Sequence, residues 1–279
     1  MTRAASCVNT VSGLRTDLFS DDDLTRDDFL GGAVRLLQPK TGYRAGADPV
    51  LLAASVPTVS GETVLELGCG GGAALVCLGV RVPGIVATGV EMQPAYAALA
   101  QRNLDDNGVT GRVFGADLRA LPPEVKSRRF DHVIANPPYF ENQRGIPPVA
   151  EDRAVSRSGA IPLSHWVSAA SKRLVPNGMA TFIQRIDRLP ELMSAFYAHL
   201  GALELWPIQP RAGRAARLFL LRGRKTARAA FMSHPPLVLH RGEMHEHDGD
   251  SYTETVSKAL RSAHPLPFPN AKSHQKRQG

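Results

Sequence analysis

The stretch FDHVIANPPYF, residues 130–140, ends an apolar run in Asn136-Pro137-Pro138-Tyr139. Two consecutive prolines cannot continue a sheet ladder, because neither has an N–H to donate and each fixes its own φ. They do form a stiff platform that holds the neighbouring oxygens in place. Asn136 offers a side-chain oxygen and Pro137 a backbone carbonyl, two acceptors suited to the two N–H bonds of a planar amine. A conjugated nitrogen, such as a base amine or a side-chain amide, is a poor nucleophile because its lone pair is delocalised. Accepting both of its hydrogens draws the nitrogen toward a tetrahedral shape, and preorganised polar groups of this kind lower a barrier. Tyr139 can stack on a flat base, worth about 1–3 kcal/mol. No ionised general base is needed beforehand.

A glycine loop stands earlier, at Glu66-Leu67-Gly68-Cys69-Gly70-Gly71-Gly72. Glycines permit a sharp turn and let a ligand approach the backbone. Glu91 follows 25 positions after Glu66, and Asp117 a further 26 positions on, each at or near the end of a β-branched run. A carboxylate at the first place suits ribose hydroxyls; one at the second can accept from an adenine amine. Glu66 precedes the glycines and would repel a pyrophosphate held at the following helix end. It would attract a nucleoside bearing an ammonium and a sulfonium, which is S-adenosylmethionine.

These residues need elements to position them. Strands are expected at 63–68, 85–91, 111–117, 130–136, 178–185, 202–208 and 217–224, with helices at 72–82, 94–108, 164–175 and 190–201. Another helix starts near an Asp48 cap with Pro49 in its first turn. Alternating strands and helices give an α/β sheet covered on both faces, and the last two strands read as an antiparallel pair at one edge. The expected organisation is a mobile arm over 1–28, one domain over 29–262 and a basic disordered tail over 263–279.

Together, ELGCGGG, Glu91, Asp117 and ANPPY resemble the successive motifs of class I S-adenosylmethionine-dependent methyltransferases, in their amino-methylating branch. The resemblance spans roughly residues 40–225 and implies a Rossmann-like sheet of seven strands with the last antiparallel. It implies that Gly68, Gly70 and Gly72 shape the cofactor loop and that Glu66, Glu91 and Asp117 take the methionine end, ribose and adenine. Asn136, Pro137, Pro138 and Tyr139 would form the catalytic platform, with Asn136 also at the cofactor. Further stretches, GGAVRLLQPKTGYRAGADPVLLAA, Arg153-Ala154 and LVLH…GDSYTETV, are similar to bacterial tRNA(Val) adenine-N6 methyltransferases, which modify the adenine 3′ of the anticodon. That similarity implies that Arg44, Gly46 and Asp48 fold over the cofactor. The N-terminal arm and MHEHDGD (244–250) depart from the pattern.

The chain has 279 residues, 43% hydrophobic, with 33 basic and 26 acidic side chains and a net charge of +7. Arg211, Arg214, Arg217, Arg222, Arg224, Lys225 and Arg228 fall in a stretch without an acid, and Lys258, Arg261, Lys272, Lys276 and Arg277 follow Glu254. Two such runs favour a phosphate backbone, and the first six are the expected RNA contacts. The expected partner is tRNA, bound more weakly as salt rises. Three unpaired cysteines argue against disulfides and zinc, and the His245, His247, Asp248, Asp250 group reads as a solvated loop, so no metal is expected. A cytoplasmic monomer or weak dimer without a membrane span is the expected state. Methylation of ribosomal RNA or a protein glutamine, or a non-catalytic RNA-binding role, remain as alternatives; only about sixty residues precede the glycine loop, which disfavours the protein substrate.

Overall fold

The computed structural model describes residues 18–139, 161–242 and 251–269. An antiparallel hairpin, β1 (Leu24–Phe29) and β2 (Val34–Pro39), comes first, with Phe29 opposite Val34. Helix α1 (Ala47–Ser55) leads into β3 (Thr63–Leu67), α2 (Ala73–Arg81), β4 (Val86–Glu91), α3 (Pro94–Asp106) and β5 (Gly111–Gly115). The short α4 (Pro123–Lys126) precedes β6 (Phe130–Ala135). Then come α5 (Leu163–Arg173), β7 (Leu174–Arg185), α6 (Leu189–His199), β8 (Gly201–Arg211), β9 (Leu218–Arg224), β10 (Met232–Ser233), β11 (Leu237–His240) and α7 (Glu254–Arg261).

The main sheet runs β10-β8-β9-β7-β6-β3-β4-β5, with β11 also paired to β8. Strands β3 to β7 are mutually parallel where they pair, whereas β9 is antiparallel to both β7 and β8. Helices cover both faces. Leu51, Leu75, Leu78 and Leu104 pack on one, and Trp166, Val167, Leu192 and Phe196 on the other. The chain steps outward from β3 to β4 and β5, then returns to β3's other side as β6. That reversal opens a crevice at the carboxyl ends of β3 and β6, the usual ligand site of an open α/β sheet. The glycine loop leaves β3 there and Asn136-Pro137-Pro138-Tyr139 leaves β6.

Several expectations change. Seven strands become nine among the described residues: the seven-stranded path from β8 to β5 carries two further short strands, which pair parallel with β8. The antiparallel pair β8 and β9 is present, but the strand that runs against the sheet is β9, which lies between β7 and β8 rather than at the edge, and β8 is itself covered by the short strands. Strands of two and four residues among prolines are too short to leave a periodic pattern. The strand expected from 178 begins at Leu174, because Pro176 disfavours helical backbone at Val175. Asp48 lies inside the first turn of α1, and Gly46 is its N-cap residue.

Both proposed boundaries also shift. Residues 24–28 belong to β1 rather than to an arm. In the expected tail, Leu266 and Phe268 are buried, and Leu266 N–H donates to Ala54 O at 2.7 Å. The Arg222 guanidinium lies 4.1 Å from the Phe268 ring centroid, with Trp206 and His234 against the same ring. Phe268→Ala is expected to cost about 3–5 kcal/mol, the usual penalty for emptying a buried phenyl site; urea unfolding at an unchanged slope measures it. Among the described residues no helix is long and apolar enough to cross a membrane.

Candidate active site

A cleft of about 1340 Å³ lies over the carboxyl ends of β3, β4 and β6, lined by the glycine loop, the Arg44–Asp48 segment, Asp117 and Asn136 to Tyr139. Single small-molecule sites usually occupy about 300–1,000 Å³, so this one can hold a nucleoside and part of a second ligand.

The floor is built by the glycine loop. Gly68 and Cys69 N–H both donate to Val90 O, at 2.7 and 3.1 Å, which folds the loop back onto β4. Gly68 has φ +64°, and a Cβ there would sit 2.5 Å from the Trp166 ring, so only glycine lets the ring close the floor. Gly72 starts α2 as its N-cap residue. Buried Asn103 ties the loop to the hairpin: its amide donates to Gly71 O (2.8 Å) and Leu37 O (3.0 Å), and its oxygen accepts from Leu37 N–H.

Three acids stand on this floor in different states. Glu66 is 3% exposed, and its Oε2 has no hydrogen-bond partner among the described residues. Burial drives its carboxyl well above the ordinary range, the Leu75 N–H opposes this, and nearby Glu91 adds to it. Glu91 receives Gly70 N–H on Oε2 and Gln93 N–H on Oε1, both at 2.9 Å. Burial raises its pKa too, against three backbone N–H groups that lower it. Asp117 lies beyond the end of β5 and forms a two-point pair with Arg119, which holds its carboxyl below the usual range.

The opposite wall comes from β6. Asn136 Oδ1 is buried and has no donor among the described residues. The Pro137 carbonyl accepts from Gln184 Nε2 at 3.1 Å, and the Gln184 oxygen in turn accepts Arg185 N–H at 2.8 Å. Tyr139 hydroxyl donates to Asp48, which links the platform to α1. Burial, then the Asp48 carboxylate, push that phenol upward. Arg44 pairs with Asp27 at 2.5 Å and donates to Pro39 O, fastening the cleft's lip to the hairpin.

The sequence-derived residues at the cofactor and the platform thus converge on one cleft, but the basic residues divide. Arg214 and Arg217 are exposed near the cleft end of the sheet. Arg211 is buried and donates to the Arg241 and Gly242 carbonyls, and Arg222 pairs with Glu204 at 2.8 Å beneath Phe268. Those two are structural and leave the expected RNA surface. Arg224 and Lys225 lie at the far end of β9, away from the cleft. Arg153, Arg277 and the 244–250 segment lie outside the described residues. Gln184, Asn103 and Trp166 were not expected at the site. An amide in the apolar strand GMATFIQR was the available signal for Gln184, whereas Asn103 and Trp166 sit on ordinary amphipathic helix faces.

Residues 46–198 match the family described as Methyltransferase small domain. The chain belongs to that family. The expectation of a methyltransferase on a Rossmann-like sheet, with S-adenosylmethionine as donor, therefore holds. The cleft fits this donor, since it presents a buried carboxylate with one oxygen unpartnered among the described residues, suited to an ammonium, and a floor that glycines leave open. Among similar sequences, the tRNA1(Val) (adenine(37)-N6)-methyltransferase of Shewanella loihica is 29% identical over 170 residues, 58% of this chain and 69% of that protein. The enzyme of the same name from Yersinia pestis is 27% identical over 191 residues, 65% of this chain and 74% of its own length. The crystal structure of a predicted O-methyltransferase from Agrobacterium tumefaciens superposes with a TM-score of 0.64 at 25% identity, covering 80% of this chain and all of that one.

Proposed function

We propose that the protein transfers a methyl group from S-adenosylmethionine to the N6 amine of an adenine in tRNA, at the position next to the anticodon of tRNA1(Val). The observation that carries this is the pair of acceptors on the β6 platform: Asn136 Oδ1, buried without a donor among the described residues, and the Pro137 carbonyl, which Gln184 fixes in place. An amine with two hydrogens matches two acceptors. The similarity to two enzymes named for this reaction supports the choice of base and RNA.

S-adenosylmethionine supplies an electrophilic methyl group when bound. Glu66 would hold its ammonium, Glu91 would accept from the ribose hydroxyls with lone pairs left over from the loop N–H groups, and Asp117 would accept from the adenine amine. Gly68 and Gly70 keep the floor low, Gly72 lets the start of α2 pack closely on Ala100, and Arg44, Gly46 and Asp48 stand at the lip. Asn136 and Pro137 take the two hydrogens of the target amine and localise its lone pair. Tyr139, steadied by Asp48, supports the base, and Pro138 stiffens the turn. The extra proton passes from the nitrogen to solvent water after methylation. An anticodon-loop base is already largely unpaired, so extruding it costs little.

Incubation with labelled donor and total RNA, followed by identification of the modified nucleoside by mass, tests this reading. N6-methyladenosine in tRNA is the expected product. Label that survives ribonuclease and disappears with protease would replace it with a protein substrate. Gln184→Met is expected to lower kcat about 10- to 100-fold by letting the Pro137 carbonyl drift, since sub-ångström placement carries such factors. Donor affinity and melting temperature should stay near wild type; a matching loss of donor affinity would assign Gln184 to packing alone.

A further inference from the structure

The end of the sheet opposite the cleft carries cations that the reaction does not use. Arg173, at the end of α5, donates to Val125 O at 3.3 Å and to Lys126 O. Arg129 donates to the same Lys126 carbonyl at 3.3 Å and to Arg128 O at 3.0 Å. Two guanidinium groups thus converge on one oxygen. Lys225 Nζ donates to Leu174 O at 2.9 Å, one residue beyond Arg173. Every hydrogen-bond partner of these three side chains among the described residues is a backbone carbonyl, and none is paired with a carboxylate. The nearby acid Asp131 is taken by Thr63, through N–H at 2.9 Å and hydroxyl at 2.7 Å.

Cations at the last carbonyls of a short helix such as α4 do satisfy orphan acceptors. One cation is enough for that. Three held together without a paired carboxylate among the described residues repel one another, and the lysine registers it: partial burial, then Arg129 and Arg173, lower its pKa. The cluster is flanked by exposed Lys126, Arg128 and Arg224. A corner of fixed, mutually repelling donors is stabilised by an oxyanion, and the chain's proposed substrate is a polyanion.

We propose that Arg129, Arg173 and Lys225 form a second phosphate-binding site that grips the sugar–phosphate backbone of the RNA substrate far from the target base. The proposal rests on the RNA reading above and adds where the rest of that RNA lies. Strand β6 separates Arg129 from Asn136 by seven residues, about 23 Å of extended chain. A stacked strand advances about 3.4 Å per nucleotide, so the gripped phosphates lie about seven nucleotides from the modified base. A full-length tRNA reaches both places, and a single-stranded heptamer centred on the target, three nucleotides to either side, does not.

Fluorescence anisotropy with full-length tRNA transcript and with the heptamer tests this, using Arg129→Gln, Lys225→Gln and the double variant. Each substitution relieves repulsion, and each can be read alone. For the double variant, affinity for full-length tRNA is expected to fall about tenfold. The slope of log K against log salt should become shallower by about 1.4–1.8, two phosphates at 0.7–0.9 each. Heptamer affinity, donor binding and kcat at saturating RNA should not change. Unchanged affinity and slope for full-length tRNA would overturn the proposal, as would equal weakening for tRNA and heptamer. A wild-type protein that binds no RNA would overturn it together with the RNA reading. Tight, patch-dependent RNA binding without methyl transfer to any RNA would uphold the patch and sink the proposed reaction.

Discussion

Asn136→Ala is expected to lower kcat by about two to three orders of magnitude, the usual loss when one preorganised polar group of a reaction centre is removed. Donor affinity should change little. The reason is that Asn136 Oδ1 lies buried without a partner among the described residues. Leaving an acceptor in that state costs free energy, about 1–3 kcal/mol for a buried unpaired polar group, which the arriving amine would recover only in the reactive complex. An interaction made at that stage moves kcat rather than ground-state binding. Asn136→Asp keeps an acceptor of the same reach and should retain far more activity than the alanine variant. Single-turnover methyl transfer at saturating donor and tRNA measures the chemical step directly. Wild-type rates in Asn136→Ala would remove this amide from the mechanism, and equal losses in both variants would mean that the amide's role is to shape the turn.

The site was legible in the sequence where a residue's type is forced by backbone chemistry. Consecutive prolines after an apolar run, glycines after TVLEL and acids near strand ends each mark a place where a strand stops and a ligand can approach. Their meeting in one cleft follows from topology, because β6 returns beside β3 and brings the two motifs face to face. What the sequence hid was long-range pairing. Arg211 and Arg222 have the same local neighbours as Arg214 and Arg217, and only the positions of the Arg241 and Gly242 carbonyls, Glu204 and Phe268 make the first pair internal. A charge run states how many cations there are and not which of them water reaches. Phe268 was hidden in the same way, lying among prolines with no periodicity to mark it as core. Residues 24–28 read as a soluble arm because three of their neighbours are acidic, yet Asp27 accepts from Gln38 at 2.6 Å and pairs with Arg44, so the charge is part of the hairpin that carries the cleft's lip.

Replacing Glu66 by glutamine should weaken binding of S-adenosylmethionine about 10- to 100-fold at neutral pH, since hydrogen bonds between ionised groups contribute about 1.5–3 kcal/mol and 1.4 kcal/mol is tenfold. It should also remove a pH dependence. In the free protein, burial raises the Glu66 carboxyl well above its ordinary value. An ammonium at Oε2 favours the ionised form and lowers that value, so binding releases a proton at any pH between the bound and the free pKa. Affinity therefore rises as pH climbs through that window and levels off above the free-state value. Glu91, whose carboxyl is also raised by burial, titrates in both proteins, so the difference between them isolates Glu66. Linkage fixes the companion effect on folding: a carboxyl raised in the native state contributes stability fully below its unfolded value of about 4.3 and loses it as pH rises through the native one. Glu66→Gln should lack that loss and melt higher than wild type near neutrality when no donor is present. Calorimetry in two buffers of different ionisation enthalpy counts the released proton, below the range where the donor's own amine titrates. No proton release by the wild-type protein, or the same release by Glu66→Gln, would mean that the ammonium is held elsewhere and that the unpartnered oxygen of Glu66 serves the fold alone.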